Sequence, residues 1–182
     1  MVGTLDWTPA TTRPDLLAVP VGAALAALDD ADQTTVLVAA IDPDLADTAA
    51  FCDAYGVGLD ESANCVVVAA KRGPDRSFAA CMVLATTRAD VNGRVRRHLQ
   101  AKKASFAPMD VAVAETGMAY GGITPVGLPP SWPVLVDGAV VAADRVVVGS
   151  GLRDSKLLLP GALLGRLPGA VVLDGLGQPS SS

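Results

Sequence analysis

The sequence predicts a single α/β domain whose mixed, largely antiparallel β-sheet is curved like a barrel and flanked by helices. A chain of 182 residues fits one domain that buries roughly 70% of its unfolded surface, so it needs no metal or disulfide for stability. Runs rich in β-branched residues alternate with helix-like segments, and the short turn "RGPDR" (72–76) joins two of these runs. Such a turn joins antiparallel neighbours, which excludes a purely parallel, doubly wound sheet.

The chain begins with helical segments. Residues 14–28 are predicted to form a helix that Pro20 kinks or divides, because proline removes a helix hydrogen bond. This helix belongs to an N-terminal helical extension over residues 1–32. The run "TTVLVA" (34–39) then predicts the first strand.

A helix with clear end signals follows. Asp42 is a helix N-cap, Pro43 suits the first turn, and Gly56 stands just past the end. The apolar runs at 65–70 and 77–85 then predict the two strands joined by the short turn, and we expect them to pair antiparallel.

The second half of the chain continues the alternation. Asp90 is predicted to cap a helix whose Val91, Val95 and Leu99 face inward. The later predicted elements are the strand "KASFA" (103–107), the helix "PMDVAVAET" (108–116), the strands "PVLVD" (133–137), "VVAA" (140–143), "RVVVGS" (145–150) and "LLL" (157–159), the helix "PGALLGRL" (160–167) and the strand "AVVLDG" (170–175). The main domain therefore spans 33–175, and the tail 176–182 is predicted to be disordered.

The composition excludes several classes of protein. The longest nearly apolar run, residues 16–28, has 13 residues and contains Pro20, whereas a membrane span needs about 20. The first dozen residues carry Asp6 and no Lys or Arg, unlike the start of a signal peptide. We therefore expect a cytoplasmic protein with no membrane partner.

The cysteines and the histidine give no catalytic or metal-binding pattern. The three cysteines, Cys52, Cys65 and Cys81, lack a CxxC spacing, and His98 is the single histidine. Small buried side chains in a reducing compartment explain such cysteines. We expect no metal, no cofactor and no thiol nucleophile paired with a histidine.

Charge is distributed unevenly along the chain. Residues 1–60 carry a net charge of −9, whereas residues 71–103 carry +7. The basic segment can meet an anion such as nucleic-acid phosphate, although a solvated helix face would show the same pattern. The candidate nucleic-acid contacts are Arg94, Arg96, Arg97, Lys102 and Lys103. Aromatic residues make up 4% of the chain, so we expect contacts to the nucleic-acid backbone rather than base stacking.

The segment "TGMAYGGITPVGLP" (116–129) combines four glycines with two prolines. Together with "AKKASFA" (101–107), "PVLVD" (133–137) and "VVVGSGLRDSKLLL" (146–159), it resembles the family of YbaK and the prolyl-tRNA synthetase-associated editing domains. The likeness extends from about residue 33 to 173, and its motifs fall in the family's order.

The resemblance implies an aminoacyl-tRNA deacylase that hydrolyses the ester of a tRNA mischarged with a small amino acid. The loop residues Gly121, Gly122, Ile123, Thr124 and Pro125 would form the aminoacyl pocket. Bare backbone N–H groups there could stabilise the oxyanion of an ester, and adjacent glycines permit close approach. A tight turn between a helix and a strand is the structural alternative.

Other parts of the chain would complete this implied pocket. The turn Gly149, Ser150 and Gly151 would bind substrate. Asp137 could orient water or a ribose hydroxyl, although a strand-end aspartate before a glycine is also common in turns. Water or a substrate hydroxyl would be the nucleophile.

Asn64 stands where the family's deacylases usually have a lysine. Asparagine offers a neutral donor and acceptor instead of a point charge. The alternative function is therefore a non-catalytic module that binds aminoacyl-tRNA or a tRNA synthetase. A third possibility is a self-associating structural domain, and the chain could be a monomer or a homodimer.

Overall fold

The computed structural model describes residues 2–179. Its strands are β1 (Thr8–Pro9), β2 (Leu37–Ala40), β3 (Ala63–Arg72), β4 (Asp75–Leu84), β5 (Thr87–Ala89), β6 (Lys103–Phe106), β7 (Val134–Asp137), β8 (Val146–Gly149), β9 (Ser155–Leu159), β10 (Ala170–Leu173) and β11 (Gly177–Pro179). Its α-helices are α1 (Val19–Ala26), α2 (Asp30–Thr35), α3 (Thr48–Tyr55), α4 (Arg96–His98), α5 (Met109–Thr116), α6 (Gly138–Ala142) and α7 (Gly161–Leu164). The predicted mixed α/β domain is confirmed.

Two larger sheets form the domain where one continuous sheet was expected. The first has the order β1-β2-β9-β8 and is antiparallel throughout. The second has the order β10-β7-β4-β3-β6, with parallel pairing from β10 to β4 and antiparallel pairing from β4 to β6. A parallel bridge between Ser62 and Val147 links the two sheets, and a small third sheet pairs β11 with β5.

The long hairpin of β3 and β4 is the centre of the second sheet. Its register runs without a break from Ala63 opposite Leu84 to Arg72 opposite Asp75, which confirms the predicted antiparallel pair. Gly73 in the connecting turn has a φ of 65°, which glycine adopts without a steric penalty. The hairpin therefore provides a rigid frame for the side chains and main-chain groups along β3.

The N-terminal residues pack into the same core as the rest of the domain. Ala10, Leu16 and Val21 belong to a buried cluster with Val148 and Leu157 of the first sheet. Burial of such side chains contributes about 1.5–3 kcal/mol for each of the larger ones. The predicted extension is thus part of the domain's hydrophobic core.

The helical segment predicted over residues 14–28 forms two separate pieces, one of the two outcomes expected. A short 3₁₀ turn covers Pro14–Leu16, and α1 starts at Val19 with Pro20 in its first turn. Proline is tolerated there because the first N–H groups of a helix have no intrahelical acceptor. Pro20 therefore starts a helix instead of kinking one.

The helix predicted from Asp42 to Gly56 divides into two elements. The Asp42 carboxylate caps a 3₁₀ turn over Pro43–Leu45, and Asp47 caps α3. Gly56 ends α3 in the left-handed conformation, as predicted. After Asp90, a π-helical turn over Val91–Val95 precedes α4, and the Asp90 carboxylate accepts from Gly93 N and Arg94 N.

Two C-terminal predictions are wrong for a shared reason, the position of Asp137. The segment "VVAA" is helical in α6 because the Asp137 carboxylate accepts from Ala139 N at 2.8 Å and caps the helix. The other carboxylate oxygen accepts from Gly177 N, and Leu176 is fully buried. Residues 177–179 are therefore ordered as β11, and residues 180–182 of the expected disordered tail lie outside the described residues.

We expect Asp137→Ala to lower the free energy of unfolding by about 1–3 kcal/mol, because it removes a helix cap and an anchor of β11. Urea unfolding measures this change. The matched control is Asp53→Ala, which removes an exposed carboxylate from α3 and should stay within about 0.5 kcal/mol of wild type. An equal loss of stability in both variants would contradict the capping role.

Candidate active site

A cavity of about 400 Å³ opens where the two sheets diverge along β3. The bridge to β8 lies at Ser62, and β6 pairs with β3 only from Val68 onward. Between these points β3 has no strand neighbour on that side, and the cavity fills the gap. Its walls are Ala46, Asp47, Thr48, Ala63, Asn64, Cys65, Val66, Val67, Phe106, Ala107, Met109, Ala112, Tyr120, Gly121, Ile123, Gly149 and Lys156.

The main chain of Cys65 faces this gap. The Val67 carbonyl accepts from Ala107 N at 2.9 Å, so the polar groups of Val67 point toward the β6 side. In a strand, residues two apart direct their main-chain groups to the same side. The N–H and C=O of Cys65 are therefore directed into the cavity, where they can bind a ligand as another strand would.

Asn64 is held in place by a neighbouring helix. The Thr48 hydroxyl, in the first turn of α3, donates to Asn64 Oδ1 at 2.6 Å. This bond occupies the amide oxygen and leaves the Asn64 NH₂ group as the donor of the side chain. Both residues line the cavity, so the pair presents a fixed, neutral hydrogen-bond donor.

The glycine-rich loop contributes two of its five predicted residues to the cavity, Gly121 and Ile123. Gly122 is buried, and a side chain there would collide with the Leu152 carbonyl, since an added Cβ would lie 2.1 Å from its oxygen. The Gly122 N–H donates to the Ala119 carbonyl at 2.9 Å. In the described part of the chain, the N–H groups of Gly121 and Ile123 have no main-chain acceptor.

The remaining loop predictions, Thr124 and Pro125, are buried away from the cavity walls. The Thr124 hydroxyl has no hydrogen-bond partner among residues 2–179. Asp137 also lies outside the cavity, because its carboxylate caps α6 and holds β11. The sequence predicts these three residues at the site, but none of them lines the cavity.

The turn after β8 mainly positions the loop. Gly149 lines the cavity, and a Cβ on it would lie 2.2 Å from the Gly122 carbonyl oxygen. Gly151 N donates to that same carbonyl at 2.7 Å. The Ser150 hydroxyl is fully buried and bonds Ser155 Oγ at 2.7 Å, so Ser150 and Gly151 fix the turn without touching the cavity.

Lys156 of β9 is the cationic lining residue of the cavity, and sequence reasoning missed it. Its side chain is 6% exposed, and its ammonium donates to the Ala46 carbonyl at 2.9 Å and lies 5.2 Å from the Phe51 ring centroid. Burial lowers the pKa of Lys156 from 10.5 to about 8, while Asp47 and Cys52 nearby act in the opposite direction. One available signal was the lysine directly before three leucines in "SKLLL", since a buried lysine is rare without a role.

The cysteines do not supply a thiolate. Burial raises the pKa of Cys65 well above its usual range and that of Cys81 to about 12. Burial also raises the pKa of Cys52, although Ser62 and Lys156 oppose the rise. All three thiols are therefore protonated at neutral pH and unsuited to nucleophilic attack. Among residues 2–179, no cluster of three or more His, Cys, Asp or Glu side chains could hold a metal ion.

None of the predicted basic contacts lines the cavity. The side chains of Arg94, Arg96, Arg97, Lys102 and Lys103 are exposed. Lys103 lines a smaller adjacent groove. None of the helices described is long and apolar enough to cross a membrane.

Solved structures share this architecture. A candidate trans-editing enzyme for prolyl-tRNA synthetase superposes with a TM-score of 0.72 at 20% identity, covering 89% of this chain and 99% of that chain. A scaffold protein from computational epitope grafting gives 0.72 at 21% identity, covering 88% of this chain and 97% of that one. A hypothetical protein gives 0.71 at 22% identity, covering 81% and 95%. The fold is thus of the YbaK type.

The sequence match is more specific than the shared fold. The profile of the aminoacyl-tRNA editing domain matches residues 42–167, a range that contains every lining residue of the cavity. The chain belongs to the aminoacyl-tRNA editing domain family, as its motifs predicted.

We expect Gly122→Ala to disturb the loop, because its Cβ would meet the Leu152 main chain at 2.1–2.8 Å. Overpacking of this kind costs about 1–3 kcal/mol of stability, measured by urea unfolding. Gly22→Ala in α1 is the control, since the nearest heavy atom to its Cβ would be 4.0 Å away. Alanine there should be neutral or stabilise by up to about 1 kcal/mol; destabilisation by both variants would reject the steric explanation.

The buried Lys156 should make stability depend on pH. Below pH 8 the ammonium is protonated in both states, and the pKa of about 8 instead of 10.5 means a cost to the folded state of about 3 kcal/mol. Between these two pKa values the folded protein loses the proton first, so its stability should rise with pH. Lys156→Met should therefore be more stable than wild type at pH 7 by about 1–3 kcal/mol, allowing for the lost bond to Ala46.

Urea unfolding at pH 7 and pH 9.5 measures this difference, which should shrink at the higher pH. Lys102→Met, at an exposed position, is the control and should change little at either pH. A Lys156→Met variant that is less stable than wild type at pH 7 would show that the ammonium stabilises the fold.

Proposed function

We propose that this protein is an aminoacyl-tRNA deacylase that hydrolyses the ester of a tRNA mischarged with a small amino acid. The observation that carries the proposal is the set of polar groups around one cavity: the N–H groups of Gly121 and Ile123, the amide of Asn64 and the ammonium of Lys156. Family membership supports it. So does the fold of a candidate trans-editing enzyme for prolyl-tRNA synthetase.

These groups suit attack on an ester carbonyl. Water, positioned by a hydroxyl of the substrate's ribose, adds to the carbonyl carbon and produces a tetrahedral oxyanion; attack by the ribose hydroxyl itself would only move the acyl group to that hydroxyl. N–H donors fixed before the reaction stabilise that charge without having to reorganise. The bond to the ribose oxygen then breaks, the leaving oxygen takes a proton, and with water as the nucleophile the products are the free amino acid and the tRNA.

Lys156 is proposed to contribute positive charge at the cavity, while Asn64 contributes a neutral hydrogen bond. A cation with low exposure acts strongly on a developing anion, because the local dielectric constant is low. Asn64, oriented by Thr48, would position the ribose or the carbonyl. In this proposal Lys156 of β9 supplies the positive charge that the family's lysine would supply at position 64, because both residues line the same cavity.

The cavity favours small acyl groups. Its apolar walls include Ala63, Val67, Ala112 and Ile123, and its volume of about 400 Å³ must also admit part of the ribose. Such a site selects by size and by polar contacts, as the second sieve of an editing reaction does. The partner is tRNA, a tRNA synthetase is a further partner, and the exposed arginines Arg94, Arg96 and Arg97 would meet tRNA phosphates outside the cavity.

The alternative is a module that binds aminoacyl-tRNA without hydrolysing it. The replacement of a lysine by Asn64 is the observation that favours it. The two functions differ in turnover, so a deacylation assay over tRNAs mischarged with small amino acids separates them.

In that assay we expect wild type to turn over at least one mischarged tRNA, and Asn64→Ala to lower kcat/KM by about 10- to 1000-fold. Thr48→Val keeps the Asn64 amide but removes the hydrogen bond that orients it, so the loss of kcat/KM should be smaller.

Lys156→Met should lower kcat/KM by a similar factor to Asn64→Ala while the protein stays folded. If the ammonium is the active form, enzymatic kcat/KM should fall as pH rises through about 8, opposite to spontaneous ester hydrolysis.

Asn64→Lys restores the family's lysine and gives a further comparison. It should keep or raise turnover if the cavity tolerates a second ammonium beside Lys156. If wild type and Asn64→Lys both bind mischarged tRNA without hydrolysing it, the deacylase proposal fails and the binding module takes its place.

A further inference from the structure

Three cationic side chains stand side by side on the second sheet. The strand register sets Lys71 of β3 opposite Arg76 of β4 on one side and opposite Lys103 of β6 on the other. Residues directly opposite each other on neighbouring strands project from the same face, with the strands about 4.8 Å apart. We call Lys103, Lys71 and Arg76 the cationic row.

The cationic row brings three positive charges together, and no acidic side chain among the described residues pairs with them. Among the residues described, none of the three forms a salt bridge, since the ion pairs found are Arg13–Asp15 and Arg166–Asp32. Like charges directly opposite each other destabilise a sheet. An anionic ligand lying across the row would relieve that repulsion.

The cationic row lines a groove that adjoins the cavity. The groove, of about 230 Å³, is formed by the row together with Ala69, Ser105, Phe106 and Pro108. Side chains alternate along a strand, so Phe106 projects from the other face of β6 than Lys103. Because β6 is the edge strand of its sheet, Phe106 lines both the groove and the cavity at that edge. The Arg76 guanidinium lies 5.1 Å from the Phe78 ring centroid, and Phe78 in turn stacks on Trp132, so the outer end of the row is held in place.

The rim of the cavity beside the groove is aromatic and exposed. Phe106 is 64% exposed, Tyr120 53% and Met109 54%, and all three line the cavity. Exposed aromatic rings next to a positive groove are the arrangement that binds single-stranded nucleic acid, with phosphates on the cations and bases on the rings. The sequence predicts contacts to the nucleic-acid backbone without base stacking, whereas the exposed rings on this face of the molecule favour stacking as well.

We propose that the cationic row and Phe106 bind the single-stranded 3′ end of the tRNA and direct its terminal nucleotide into the cavity. The row would contact successive phosphates, and a base near the end would stack on Phe106. This proposal rests on the proposed deacylase function for the identity of the RNA. It assigns entry of the substrate to the side of the cavity formed by β6.

The probe is a fluorescent four-nucleotide single-stranded RNA with a free 3′ hydroxyl, compared with an uncharged full-length tRNA and with a short RNA duplex. Replacing Lys71, Arg76 and Lys103 together by Gln should weaken binding of both the four-nucleotide RNA and the tRNA. For three phosphate contacts, the slope of log K against log salt should fall by about 2. Phe106→Ala should weaken binding about 5- to 150-fold with the salt slope unchanged.

The matched control replaces Arg94, Arg96 and Arg97 by Gln, which removes the same number of exposed charges outside the groove. It should weaken binding of the tRNA more than that of the four-nucleotide RNA, because these three arginines do not line the groove. The proposal is overturned if this control weakens the short RNA as much as the row variant does, or if the duplex binds as tightly as the single strand. Thermal unfolding of each variant verifies that the exposed substitutions leave the fold intact.

Binding of uncharged RNA needs no catalysis, so this proposal and the deacylase function can fail separately. Deacylation that survives the row variant and Phe106→Ala with unchanged KM would overturn the proposed entry path while leaving the enzyme. RNA binding that depends on the row in a protein without turnover would support the path and remove the enzyme.

Discussion

The site depends on one constraint, which is that β3 must serve two sheets. Along its length it pairs with β4, while its other edge meets β8 at Ser62 and β6 from Val68 onward. The sheets twist apart between these points, and a strand edge left open there must satisfy its main-chain groups with water or a ligand. The cavity is therefore a consequence of how the sheets diverge, and the main-chain groups of Cys65 are open to it.

Burial of the Lys156 ammonium lowers the free energy of unfolding. An ammonium at 6% exposure is held by one carbonyl and the face of one aromatic ring, which leaves donors free. A hydrophobic residue at position 156 would suit the apolar strand better, as its neighbours Leu157, Leu158 and Leu159 show. Residues that reduce stability in a cleft with a shifted pKa are candidates for function, and Lys156 lines the same cavity as the neutral Asn64.

Sequence patterns predicted the elements with strong local signals. The β3–β4 hairpin follows from two apolar runs joined by a turn signal, and the end of α3 follows from Gly56. The strand β6 was also predicted, although its residues include no β-branched side chain. The segment "VVAA" was misread because its valines favour a strand, whereas the Asp137 carboxylate caps a helix through the nearby Ala139 N–H. The long-range bond of the same carboxylate to Gly177 N anchors β11. Asn64, Gly121, Ile123 and Gly149 were found through motifs. Lys156 was not, because its place in the cavity depends on the register of β9 beside β8.

The sequence predicts that the adjacent glycines of the loop permit close approach of the substrate, but Gly122 packs against the chain itself. A side chain is excluded at Gly122 because the Leu152 carbonyl packs against its Cα. The Gly122 carbonyl in turn accepts a hydrogen bond from Gly151 N. This packing fixes the peptide units on both sides of Gly122. The Ile123 N–H belongs to one of these units and is therefore oriented before any ligand arrives. The Gly121 N–H belongs to the preceding peptide unit, which is held separately because the Tyr120 carbonyl accepts from Arg153 Nη1 at 3.0 Å. Donors fixed in advance are what an oxyanion site needs, so the glycine serves the proposed chemistry through the rigidity of its surroundings and not by contact with the substrate.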